Sequence, residues 1–156
     1  MAKIHFDVRH HFDQPTKVVW DELVDWERHA DWIPATKMEV KPGDPTEAGY
    51  EFTARSGFGP LALVDTMRVL SCTWNDAGES GDCQVEKIGP ILYGQAGFTV
   101  KPDGSGCVVD WIEEIEVRRV PQFLAPIAAW LGATGFKQGM KSLAKLLAKR
   151  SSQSER

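Results

Sequence analysis

Six segments between residues 37 and 118 show the hydrophobic period of two that is typical of β-strands, and a long segment after Pro121 shows the period of an α-helix. Turn-forming sequences such as Pro42-Gly43-Asp44-Pro45 separate the six segments. Closely spaced strands joined by short turns predict an antiparallel sheet, and the long helix is the element available to cover one face of it. The six strands are predicted at about 37–42, 48–56, 61–71, 83–89, 91–101 and 107–118.

The N-terminal region predicts one further strand and two short helices. Ile4, Phe6 and Val8 alternate with polar residues, which indicates a strand with one buried face. Helix-start residues at 13–16 predict a first helix at about 15–25, and a second short helix follows and ends before Pro34. The terminal helix is predicted over about 122–149, and Pro126 gives it either an early bend or a later start.

This element order predicts an α+β fold, in which a curved seven-stranded antiparallel sheet wraps around a long C-terminal helix. Two short helices lie between strands one and two. A chain of 156 residues suffices for one domain with one core, predicted at 1–150, and 151–156 is predicted to be a flexible tail. The residues expected to be largely buried are Ile4, Phe6, Val8, Val19, Leu23, Phe98, Val100, Val109 and Leu143.

The charge distribution argues against a nucleic-acid-binding protein. The net charge is −4, and residues 1–120 hold 21 acidic and 12 basic groups, whereas phosphate binding needs a basic face. No long apolar stretch or N-terminal signal region occurs, so we expect a cytoplasmic protein without stable membrane insertion. The odd number of cysteines and the absence of a Cys-x-x-Cys motif predict three free thiols, Cys72, Cys83 and Cys107.

The familiar cofactor and metal motifs are missing. The sequence contains no phosphate-binding loop, dinucleotide fingerprint or zinc-protease motif, so no cofactor is expected. His10 and His11 are adjacent on a strand and point to opposite faces, so they cannot jointly hold one ion. We therefore expect no metal site.

Turn and packing residues stand in a characteristic order along this chain. They are Pro15 to Trp20, Asp25, Trp32, Pro34, Gly43, Gly49, Gly94, Phe98 to Pro102, Gly104 to Gly106 and Trp111. In these residues the sequence resembles the START-like helix-grip superfamily (SRPBCC), which includes the polyketide cyclase/dehydrase and lipid-transport proteins. The resemblance covers nearly the whole chain and implies a cavity for a hydrophobic ligand between sheet and terminal helix, which some members use for catalysis and others for binding alone.

Three residues are candidates for proton transfer in such a cavity. Glu113 shares the apolar phase of the last strand with Trp111, and a desolvated carboxyl group there would have a raised pKa. On the fourth strand either Asp65 or Arg68 points inward, and an inward Arg68 would pair with Glu113 and anchor a polar ligand end. His10 extends the buried phase of strand one. For each residue the alternative is an exposed or purely structural role.

Further residues are candidates for ligand contact. They are Tyr50, Phe52, Tyr93 and Trp111 as cavity walls, Trp32 at the mouth, and Leu131 and Gly135 on the covering face of the terminal helix. Packing is the alternative role for the aromatic residues. Lys137, Lys141, Lys145 and Lys149 form a stripe on the terminal helix, which indicates either a solvated face or a transient contact with an anionic surface.

Three classes of function follow from these observations. The leading hypothesis is a protein that binds a small hydrophobic or amphipathic molecule, either a lipid or a polyketide-like compound. The alternative is a polyketide cyclase or dehydratase that uses Glu113, Arg68 or His10. The third is a protein that docks a macromolecular partner through the lysine stripe. Two or more titratable groups converging in the cavity would favour the enzyme. No oligomeric state is predicted.

Overall fold

The computed structural model describes residues 1–156 and contains seven strands and two α-helices. The helices are α1, Thr16–Leu23, and α2, Ala125–Ser154. Short 3-10 helices span Trp26–Asp31, Gly59–Leu61 and Gln122–Leu124. The strands are β1, Ala2–Phe12; β2, Thr36–Val40; β3, Glu51–Ser56; β4, Leu63–Asn75; β5, Ser80–Pro90; β6, Leu92–Asp103; and β7, Gly106–Val117.

The seven strands form one antiparallel sheet in the order β1-β7-β6-β5-β4-β3-β2. Strands β2 to β7 are joined as successive hairpins, and β1 completes the sheet by pairing with β7. Alternate residues of β1, β5 and β7 point to the inner face. On β7 the inner residues are Cys107, Val109, Trp111, Glu113 and Ile115. The predicted α+β fold with a curved seven-stranded sheet and a long C-terminal helix is confirmed.

Helix α2 lies on the inner face of the sheet and packs against β1. The rings of Phe6 and Phe136 are 5.8 Å apart across this interface, and Met140, Leu143 and Leu147 are buried further along the helix. Trp20 and Trp26, from α1 and the following 3-10 helix, pack against Phe98 at the other end of the core. All nine residues predicted to form the core are buried.

Some element boundaries differ from the predicted ones. Strand β4 continues to Asn75 and β5 begins at Ser80, so this hairpin is longer than its sequence pattern indicated. Helix α2 starts at Ala125 with Pro126 in its first turn, where the missing N–H of proline breaks no helical hydrogen bond. The helix continues to Ser154, and the predicted flexibility of 151–156 stays a prediction.

The prediction of three free thiols is wrong, because Cys72 and Cys83 form a disulfide. The two residues lie directly opposite each other in the β4–β5 pair, and this register brings their side chains together. Cys107 is free and buried, and desolvation raises the pKa of its thiol to about 11. The expected cytoplasmic location loses the support of the free thiols and stays a prediction. None of the helices combines the length and the apolar character that a membrane-spanning helix needs.

Candidate ligand-binding cavity

A cavity of about 420 Å³ lies between the inner face of the sheet and the N-terminal half of α2. Its volume falls within the range of roughly 300 to 1,000 Å³ that is typical of small-molecule sites. Of its 27 lining residues 19 are hydrophobic, so most of its wall offers no hydrogen bond. Leu63 at the start of β4 and Leu131 on α2 line the cavity while remaining 37% and 58% exposed, which places them where it meets solvent.

Stacked aromatic rings form much of the apolar wall. Trp26 stacks on Phe52 with ring centroids 4.2 Å apart, and the indole N–H of Trp26 donates to the carbonyl of Pro45. Trp111 packs against Phe98 on one side and against Phe136 of α2 on the other, at 5.1 and 4.8 Å. These contacts between rings fix the positions of the aromatic side chains in the cavity wall.

Three charged side chains meet in this otherwise apolar cavity and are named here the charged cluster: Asp65 of β4, Lys87 of β5 and Glu113 of β7. The Lys87 ammonium group donates to Asp65 Oδ2 at 2.5 Å and lies 3.7 Å from Glu113 Oε2. The indole N–H of Trp111 donates to Glu113 Oε1 at 3.1 Å. All three charged residues are at least nine-tenths buried, so solvent screens their interactions only weakly.

Burial and mutual attraction shift the pKa values within the charged cluster. Desolvation raises the pKa of Glu113, and the nearby Lys87 ammonium offsets only part of this effect. Desolvation alone would lower the pKa of Lys87, but the attraction of Glu113 and Asp65 outweighs it and raises that pKa. Lys87 therefore stays charged and is unsuited to act as a nucleophilic amine, whereas Glu113 can hold a proton closer to neutral pH.

Two further polar features distinguish the cavity. Asp65 Oδ1 is buried and has no hydrogen-bond partner, so one acceptor of the charged cluster is unused. His29 also lines the cavity, and its Nε2–H donates to the carbonyl of Leu23 at 2.7 Å. Desolvation lowers the pKa of His29 to about 4, so its ring is neutral at ordinary pH.

The structure separates the three residues predicted for proton transfer. Glu113 lines the cavity, as the phase of its strand indicated. Arg68 points to the opposite face of the sheet, where it bonds Glu51 at 2.9 Å and lies near Glu86, so it does not pair with Glu113. The cation that faces Glu113 is Lys87. His10 is on the inner face but outside the cavity lining, and desolvation lowers its pKa.

The residues predicted to contact ligand are likewise divided by the structure. Phe52, Trp111 and Leu131 line the cavity. Tyr50 does not, since its hydroxyl bonds the backbone of Lys41. Tyr93 also lies outside, and its ring packs under the Arg118 guanidinium group.

Trp32 and Gly135 complete the set and are also absent from the lining. Trp32 is buried between the His29 ring and α2, where a Cβ atom on Gly139 would lie 3.4 Å from its ring. It therefore fills the core rather than forming a mouth. Gly135 faces open space, because a Cβ atom there would meet nothing within 4 Å.

Lys87 was not among the predicted site residues, although the alternating pattern of the surrounding sequence indicates that it points inward. It alternates with Cys83 and Val85, both of which are buried, so the period of two places Lys87 on the inner face. The lysines of the stripe on α2, in contrast, are all exposed. The predicted contact of this stripe with an anionic surface stays a prediction.

Comparisons with known proteins identify relatives of this architecture. The family described as "Polyketide cyclase / dehydrase and lipid transport" matches residues 3–148. A START superfamily protein from Mycobacterium smegmatis has a similar structure, with a TM-score of 0.68 at 12% identity over 93% of this chain and 97% of the other. No curated protein matches the sequence.

Two further solved structures share the fold. The STAR-related lipid transfer protein fragment from Xanthomonas axonopodis aligns with a TM-score of 0.66 at 16% identity, over 92% of this chain and 85% of the other. Ara h 8.0201 aligns with a TM-score of 0.64 at 15% identity, over 95% and 99%. At these identities the likeness shows the fold alone.

Proposed function

Because the chain belongs to the polyketide cyclase/dehydrase and lipid transport family, we propose that it binds a small hydrophobic or amphipathic molecule in the cavity between the sheet and α2. The observation that supports this most directly is the cavity itself, with its apolar lining, its volume of about 420 Å³ and its stacked aromatic wall. Removing apolar ligand surface from water into such a site contributes about 25 cal/mol per Å². Binding is also the step that a carrier and an enzyme of this fold have in common.

A cavity-filling variant tests the proposed binding. The probe is N-phenylnaphthylamine, an uncharged apolar dye that fluoresces when it leaves water. In Ala128→Trp a large side chain replaces a small one in the cavity lining, so probe affinity is expected to fall by about tenfold or more. Ala148→Trp is the matched control, because Ala148 is an exposed residue of the same helix. Equal probe affinity of the two variants, or no probe binding by the wild type, would contradict the proposal.

A second candidate function is proton transfer on the bound molecule, and the charged cluster favours it. Glu113 is buried against an apolar wall with a raised pKa, which suits a group that takes a proton from carbon or returns it. Arg68 and His10 lie outside the cavity, so Glu113 is the one residue of the predicted trio that lines it. Such chemistry fits a cyclase or dehydratase acting on a ketone-containing substrate.

Hydrogen exchange on a simple ketone tests this second function. A decanone is incubated in D₂O, and deuterium uptake next to its carbonyl is followed by NMR with and without protein. Exchange about 100-fold above the buffer rate is expected, with loss of this acceleration in Glu113→Gln. Glu114→Gln is the control, because Glu114 is the exposed neighbour on the same strand. Exchange at the buffer rate with bound ketone would reject catalysis and leave binding alone.

A further inference from the structure

The balance of charge in the cavity restricts the ligand that it can accept. Four titratable side chains line it, namely His29, Asp65, Lys87 and Glu113. His29 is neutral, so Lys87 is the one cation, and it faces two acidic side chains. With both acids ionised the cavity carries a net negative charge, and with Glu113 protonated it carries none. In neither state does it hold an excess positive charge.

The hydrogen-bonding groups of the charged cluster also offer little to an incoming anion. The Lys87 ammonium group has three N–H donors, and three neighbours surround it: Asp65 Oδ2 at 2.5 Å, Glu113 Oε2 at 3.7 Å and the Met67 sulfur at 3.7 Å. The Lys87 ammonium group therefore bonds Asp65 and contacts the Met67 sulfur and the Glu113 carboxyl group, so its charge is already balanced within the charged cluster. The unused group is an acceptor, Asp65 Oδ1, which is buried without a partner. A buried acceptor without a hydrogen bond is costly, so a ligand donor that comes within reach of Asp65 Oδ1 gains affinity.

We infer that the cavity selects an amphipathic molecule whose polar end is a hydrogen-bond donor, such as a hydroxyl or amine group, and rejects one that ends in a carboxylate. This inference rests on the proposed ligand binding. The donor end would lie at Asp65 and the apolar body against the aromatic wall of Trp26, Phe52 and Trp111. A carboxylate would face Asp65 and Glu113 with the charge of Lys87 already balanced, and like charges brought together in a buried site repel strongly.

Three ligands with the same chain length test the inference on the wild-type protein. Decanol, decylamine and decanoate compete with N-phenylnaphthylamine at pH 7, each below the concentration at which it aggregates. Decanol or decylamine is expected to displace the probe at a concentration at least about tenfold lower than decanoate. Displacement by decanoate at an equal or lower concentration than both others would overturn the inference while leaving the proposed binding intact. If neither the probe nor any decyl compound binds, the proposed function fails and the inference with it.

Two variants identify the charged cluster as the origin of the selectivity. Asp65→Asn removes one negative charge, whereas Glu113→Gln removes one only when Glu113 is ionised, so the preference for decanol over decanoate is expected to shrink by about fivefold or more in Asp65→Asn. Glu114→Gln, on the exposed side of β7, is expected to keep the wild-type preference. If Asp65→Asn fails to fold, a reduced preference in Glu113→Gln still supports the inference. The comparison of decanol with decanoate on the wild-type protein still tests it. An unchanged preference in folded Asp65→Asn would show that the charged cluster does not select the ligand.

Discussion

Arg150, near the C-terminal end of α2, donates a hydrogen bond at 2.8 Å to the Glu22 carboxylate in α1, which lies 128 residues earlier in the chain. Arg28 donates to the same Glu22 oxygen at 3.2 Å. Glu22 is only 5% exposed, whereas the two arginine side chains are partly exposed. The contact therefore joins the end of the long helix to the short helix that follows β1, and it keeps α2 seated along the inner face of the sheet.

Replacing Glu22 should loosen this connection. Glu22→Gln keeps the shape but removes the charge that both arginines contact, and we expect a loss of about 1 to 2 kcal/mol in the free energy of unfolding. Urea denaturation measures it. Glu155→Gln, an exposed residue at the end of α2, serves as the control and should unfold like the wild type. Equal stability of the two variants would show that the contact contributes little.

His29 should make stability depend on pH. Its pKa is about 4 in the folded protein and 6.5 ordinarily, so between these values the unfolded chain binds a proton that the folded chain excludes. Stability is therefore expected to fall as pH decreases from about 6.5 to 4, by about 3 kcal/mol in total from this residue. In His29→Gln the corresponding slope should disappear, while His5→Gln, which alters an exposed histidine, should keep it. NMR titration of the His29 ring gives an independent check, and protonation near pH 6.5 would refute the prediction.

The disulfide predicts a specific thiol count. In the denatured, unreduced protein one thiol should react with Ellman's reagent, since Cys72 and Cys83 are bonded and Cys107 is free. In the folded protein Cys107 should react slowly, because it is buried and burial raises its pKa to about 11. A count of three in protein isolated without reductant would contradict the disulfide and restore the argument for a reducing compartment.

Two glycines of α2 should respond differently to alanine. Alanine is favoured over glycine inside a helix by about 1 kcal/mol, so Gly135→Ala should stabilise the protein by up to that amount, as a Cβ atom there meets nothing within 4 Å. In Gly132→Ala the new Cβ atom would lie 2.6 Å from the Phe6 ring, which has to move. Thermal unfolding is therefore expected to show a higher Tm for Gly135→Ala than for Gly132→Ala. The same Tm for both would mean that Phe6 moves without cost.

Local sequence patterns determined the elements of this protein and much of its inner face. The period of two places Trp111 and Glu113 inside because successive side chains of a strand point to opposite faces. The same rule applies to Lys87, whose alternation with Cys83 and Val85 carried the information. Strand and helix identity depends on such local periods, which explains why the predicted fold and core are confirmed.

Tertiary structure decided which groups meet. On β4 the sequence allowed either Asp65 or Arg68 to point inward, because both share a face with apolar residues, and only the pairing of neighbouring strands turned Asp65 towards Lys87 and Arg68 towards Glu51. The Cys72–Cys83 bond likewise depends on the register of a hairpin, which a change of one residue would alter. Contacts between strands depend on strand pairing and register, which the local pattern of one strand does not determine. The charged cluster and the cavity around it are therefore properties of the assembled fold.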